Sequence, residues 1–113
     1  MTPSTLLRFL SLEQLLEMKE NGEQFTLVEA LAPDDYKQGH LPNAVNLPPD
    51  QAEAKASEVL PKKDAKLVVY CASYKCQAST KTARKLIEMG YSNVFDFKGG
   101  KKLWQDSQLP LEQ

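Results

Sequence analysis

Apolar residues fall into short blocks along this chain, and their spacing alternates between the period of a helix and that of a strand. Leu10-Ser11-Leu12-Glu13-Gln14-Leu15 predicts a helix start, with Ser11 as N-cap, Gln14 closing a capping box and Leu10 packing on Leu15 as a staple. Leu12, Leu15 and Leu16 then share one face, and Asn21-Gly22 marks the stop. Phe25-Thr26-Leu27-Val28-Glu29-Ala30 is rich in aromatic and β-branched residues and predicts a strand that ends on a carboxylate. Pro33-Asp34-Asp35-Tyr36 predicts a short helix with acidic residues in its first turn, ended by Gly39 and followed by a turn at His40-Leu41-Pro42-Asn43.

Ala44-Val45-Asn46-Leu47 predicts a short strand closed by Pro48-Pro49, then a polar surface helix over residues 50–59 and a solvated loop at Lys62-Lys63-Asp64. Leu67-Val68-Val69-Tyr70 is a continuous apolar run and predicts a buried strand; Cys71 follows it and a polar loop leads to Ala78. From Ser79 to about Met89 a helix places Ala83, Leu86 and Ile87 on one face, with Gly90 as its stop. Val94-Phe95-Asp96-Phe97 is another strand, Gly99-Gly100 a break, and residues 101–105 a helical turn carrying Trp104. Strands separated by helices predict an α/β fold with a parallel sheet covered on both faces. A chain of 113 residues has room for one such core, so residues 1–113 are read as a single domain.

Charge narrows the range of partners. Fourteen basic and fifteen acidic residues leave no overall attraction to nucleic acid or to an anionic membrane, so an anion site must be local. The apolar stretch Leu6-Leu7-Arg8-Phe9-Leu10 is interrupted by Arg8 and followed by Ser11, Glu13 and Gln14, which fits neither a signal segment nor a membrane span. Two cysteines, five positions apart in one loop, do not make an extracellular disulfide framework; they fit a reactive thiol in a reducing compartment, with the cytoplasm as the expected location.

Cys71 is the candidate nucleophile. A strand that delivers a thiol into a turn just before a helix N-terminus favours thiolate over thiol and can hold an oxyanion on backbone N–H groups. Three patterns around it occur in order: Gly39-His40-Leu41-Pro42-Asn43-Ala44-Val45-Asn46, then Val68-Val69-Tyr70-Cys71, then Gly90-Tyr91 through Val94 to Gly99-Gly100 and Trp104. Together, from about Leu27 to Leu111, they resemble the rhodanese-like domain.

The resemblance implies a three-layer α/β/α fold with a central, mainly parallel sheet. It also implies a sulfurtransferase or persulfide carrier in which Cys71 takes up sulfane sulfur as a cysteine persulfide and passes it to a thiophilic acceptor. Ala72, Ser73, Tyr74, Lys75, Cys76 and Gln77 would then form the substrate- and anion-binding loop, with no cofactor and no metal. The partners implied are a small sulfur donor such as thiosulfate, or a persulfidated protein, and a thiol or cyanide-like acceptor. Many family members have a shorter loop that ends in Arg-Ser. Here seven residues separate Cys71 from Ser79, Ala78 stands where the arginine would be, and Glu29-Ala30-Leu31 replaces an Asp-Val-Arg.

Lys75 is the one cation within the loop, either favouring the Cys71 thiolate or standing as a solvated surface charge. Cys76 is either a resolving thiol that closes a disulfide on a Cys71 persulfide or a packing residue at the loop base. Two cysteines and a distant His40 make no convincing metal site, and His40 itself reads as a turn residue bonded to backbone. Glu29 and Asp35 read as a strand-end carboxylate and a helix-start acid, and Trp104 as a core anchor. Ser73 and Tyr74 read either as hydroxyl donors to a substrate anion or as loop hydroxyls satisfied by backbone and water. Three other functions remain in competition: a non-catalytic interaction module on the same fold, a thiol redox protein using Cys71 and Cys76, and phosphate- or arsenate-directed catalysis, which the absence of an arginine from Cys71 to Ser79 opposes.

Overall fold

The computed structural model describes residues 7–113; Leu6, at the head of the apolar N-terminal stretch, lies outside them. In chain order the elements are β1 (Arg8–Phe9), α1 (Leu12–Glu20), β2 (Thr26–Glu29), α2 (Pro33–Gln38), β3 (Val45–Asn46), a 3-10 turn (Pro49–Gln51), α3 (Ala52–Val59), β4 (Leu67–Tyr70), α4 (Ala78–Glu88), β5 (Val94–Phe97) and α5 (Gly100–Asp106). The sheet has the order β1-β5-β4-β2-β3, and each of its pairings is parallel. Sequence and structure agree on an α/β/α fold with a central parallel sheet.

Strand β4 lies in the middle because all four of its side chains are apolar and none reaches solvent. Its alternation splits the core in two. Leu67 and Val69 join Ala52 and Ala56 of α3 and Ala83 and Leu86 of α4, whereas Val68 and Tyr70 join Leu15 and Met18 of α1 and Trp104 of α5. Full burial stabilises each large apolar side chain by roughly 1.5–3 kcal/mol, which explains why a strand of this composition takes the centre and not an edge.

Helix α1 begins as the sequence predicts: the Gln14 amide donates to Ser11 Oγ, and the Ser11 amide donates to the Gln14 side chain. Leu10 and Leu15 share one core cluster. Trp104 is buried, and its indole N–H donates to the Pro110 carbonyl at 2.8 Å. His40 is a structural residue. Its Nδ1 lies 2.9 Å from the Tyr36 carbonyl, its ring stacks on Tyr36, and its backbone bridges to Glu112.

Several details differ from the sequence reading. The edge strand β1 has no counterpart in it, because both residues are exposed and only pairing with Phe95 and Asp96 defines the strand. The strand near Val45 is shorter than expected, and α4 starts one residue earlier, at Ala78. Among the described residues no helix is long and apolar enough to cross a membrane.

Candidate active site

In a parallel sheet the strands all end on the same edge, and adjacent strands β2, β4 and β5 bring Glu29, Cys71 and Lys98 there. Cys71 Sγ accepts a hydrogen bond from the Ser79 amide at 3.4 Å, and its S–H donates to the Cys76 carbonyl at 3.5 Å. Ser79 lies in the first turn of α4, an eleven-residue helix whose positive end therefore faces the sulfur. Its hydroxyl oxygen is buried without a conventional partner among the described residues and lies beside the thiol.

Burial sets the two thiols apart. Cys71 is fully buried, and burial pushes its thiol above the ordinary value. The neighbouring Cys76 side chain raises it further, and the Ser79 hydroxyl and amide only partly offset both effects. A helix N-terminus alone does not ionise a sulfur so thoroughly removed from water. Cys76 is half-buried and behaves in the opposite way. Burial pushes its thiol up too, but the Cys71 S–H, the Ala72 and Ala78 amides and the Lys98 ammonium together carry it below the ordinary value. With Cys71 buried, the position that favours the thiolate is Cys76.

The Ser79 amide hydrogen-bonds Cys71 Sγ, and the Ala72 and Ala78 amides favour the Cys76 thiolate. Within the predicted loop the Cys76 amide is engaged with the Ser73 carbonyl at 3.0 Å, and the Gln77 carbonyl accepts from Lys81 at the start of α4. Ser73, Tyr74 and Lys75 instead line a hollow of about 350 Å³ together with Gly99, Lys102 and Leu103. Tyr74 is exposed there.

Lys98 was not among the residues singled out from sequence. Its ammonium donates to the Cys76 carbonyl at 2.9 Å and to Thr80 Oγ1 at 3.3 Å, and the Thr80 hydroxyl donates to the buried Asp96 carboxylate at 2.6 Å. A cation thus reaches the loop from the end of β5, whereas Lys75 within the loop is exposed. The available signal was positional: a lysine directly after a strand adjacent to β4 must lie at the same sheet edge.

Beneath the loop, the Lys101 and Lys102 amides donate to the Cys71 and Ala72 carbonyls at 2.9 and 2.8 Å and fasten α5 to the base of the site. Glu29 is buried there. It accepts from the Tyr70 hydroxyl at 2.8 Å and pairs with the Lys101 ammonium at 3.1 Å, while the Leu41 amide donates to the Tyr70 oxygen at 3.0 Å. Burial pushes the Glu29 carboxyl up, and the Tyr70 and Lys101 contacts pull it back only in part. Asp35 contributes its backbone carbonyl to Lys101.

Glu29→Ala is expected to destabilise the protein by about 2 kcal/mol in urea denaturation. The loss stays below the figure for sealed ion pairs because Lys101 retains some solvent and the Asp35 carbonyl. Glu29→Gln, which still accepts from Tyr70, should cost less than half as much; equal losses would show that the hydroxyl contact contributes nothing.

A cysteine at the end of a central parallel strand, set against a helix N-terminus with a second thiol and a lysine nearby, defines a thiol-centred α/β domain. The family model described as Rhodanese-like domain matches residues 11–107, and the chain belongs to that family. It is 30% identical over 99 residues to a sulfurtransferase of Allochromatium vinosum, covering 88% of this chain and 89% of that protein. It is 31% identical to the thiosulfate sulfurtransferase GlpE of Pseudomonas paraeruginosa, covering 82% of this chain and 79% of the relative. Among solved structures, the Alr3790 protein from Anabaena superposes with a TM-score of 0.81 at 26% identity, over 91% of this chain and 79% of that one. Family and relatives together support a sulfurtransferase-type role, which implies a sulfur donor and an acceptor.

Proposed function

We propose that this domain carries sulfane sulfur as a persulfide on Cys71 and delivers it to a thiol or cyanide-like acceptor. The observation that carries this reading is the Ser79 amide of α4 placed 3.4 Å from Cys71 Sγ. Cys71 Sγ, once deprotonated, attacks the outer sulfur of the donor; the donor's sulfur–sulfur bond breaks, and the donor leaves as a thiolate, or as sulfite when it is thiosulfate. The transferred sulfur then lies at the end of α4, where the Ser79 N–H and the unpartnered Ser79 hydroxyl stabilise its negative charge.

Cys71 is closed off in this conformation, so loading requires residues 72–77 to lift away from it. That favours low-mass donors over a folded persulfidated protein. Lys98 and Lys75 supply positive charge for an anionic donor in place of the absent loop arginine, although neither matches a guanidinium's paired donors. Two free thiols suit a reducing compartment such as the cytoplasm.

The test is rapid acid quenching of the reduced chain after exposure to thiosulfate or inorganic polysulfide, followed by peptide mass mapping. One added sulfur on Cys71, released as thiocyanate when cyanide is present, is the expected result. Absence of any Cys71 adduct in both the wild type and Cys76→Ser with every donor overturns the proposal.

A further inference from the structure

The second thiol has a place in this reaction. We infer that Cys76 resolves the Cys71 persulfide, closing a Cys71–Cys76 disulfide and expelling the carried sulfur as sulfide when no acceptor intervenes. The inference rests on the Cys71 persulfide proposed above and adds a reductive outlet to it.

Geometry places the two sulfurs together. Cys71 Sγ lies 3.5 Å from the Cys76 carbonyl, and each thiol shifts the titration of the other. The turn that brings Cys76 back is pinned by its own amide on the Ser73 carbonyl and by the Lys98 ammonium on its carbonyl at 2.9 Å. The Ala72 and Ala78 amides and the Lys98 charge lower its thiol, which favours the attacking thiolate beside its target. A merely space-filling side chain at this position would need no cation held on its own carbonyl.

The step balances. Cys76 thiolate attacks Cys71 Sγ, the sulfur–sulfur bond of the persulfide breaks, and the outer sulfur leaves with the bonding pair as hydrosulfide. The two cysteine sulfurs are oxidised to a disulfide while the sulfane sulfur is reduced to sulfide. A second turnover requires an external dithiol of the thioredoxin class to reopen the bridge.

The experiment uses the full chain, reduced, freed of reductant and kept anaerobic, with a low-mass alkyl persulfide as donor. Intact mass and peptide mapping follow the wild type and Cys76→Ser over time, and a sulfide trap reads the product. The wild type is expected to lose two hydrogens in mass, with Cys71 and Cys76 joined, and to release one sulfide per bridge. Cys76→Ser should instead accumulate one added sulfur on Cys71 and hold it at least about tenfold longer. A wild-type persulfide as long-lived as that of Cys76→Ser overturns the resolving role and leaves the sulfur-carrier reading intact. A bridge that forms equally fast without donor overturns it as well. Failure of both chains to gain sulfur on Cys71 overturns the carrier reading itself.

Discussion

Cys71→Ser is expected to abolish sulfur transfer, with thiocyanate formation from any donor falling by roughly a thousandfold or more, because a hydroxyl cannot hold a sulfane sulfur. The same substitution should leave the fold largely untouched. A serine oxygen in this position still accepts from the Ser79 amide and donates to the Cys76 carbonyl, so the cost is that of a small isosteric change, about 1 kcal/mol. That separation is diagnostic. A domain that uses this fold only as a docking surface would show no transfer in the wild type and nothing to lose in the variant. Retained turnover in Cys71→Ser, with the sulfur mapped to Cys76, would move the transfer site to the second cysteine.

Much of the site was legible because its determinants are local. Four consecutive apolar residues before Cys71 announce a strand buried on both faces, and a helix beginning near Ser79 announces the amide that meets the sulfur. The capping box at Ser11 and Gln14 is equally local, and it forms as written. What escaped depends on strand order. Lys98 reaches the loop only because β5 is the neighbour of β4, and Lys101 finds Glu29 only because the start of α5 is fastened just after β4, the neighbour of β2. Protonation escaped for a different reason: chain pattern places Cys71 at a helix N-terminus but carries no measure of how completely water is excluded. Desolvation pushes the Cys71 thiol up despite the helix end, whereas the amides and cation around its half-exposed neighbour Cys76 carry that thiol down.

The same dependence on packing governs the junction between Cys71 and α5. Gly100 holds φ at +61°, and a Cβ built on it falls onto the Cys71 carbonyl oxygen, well inside van der Waals contact, and 3.0 Å from the carbonyl carbons of Cys71 and Ala72. These are backbone atoms, and the amides of the next two residues hold them, so no side-chain rotation relieves the clash. Gly100→Ala therefore combines left-handed strain of about 1–2 kcal/mol with an overpacking cost of similar or larger size, for an expected loss of roughly 3–5 kcal/mol in urea denaturation. Gly22→Ala provides the control. It has φ +70° but no atom within 4 Å of the added methyl, so strain alone applies, at about 1 kcal/mol. Because Gly100 abuts the carbonyl that anchors the cysteine, Gly100→Ala should also slow sulfur loading of Cys71 by about tenfold or more, as expected when a reacting group is misplaced by part of an ångström. Gly22→Ala should load at the wild-type rate. Equal stability of the two variants would mean that the close approach of α5 to Cys71 constrains neither the fold nor the thiol.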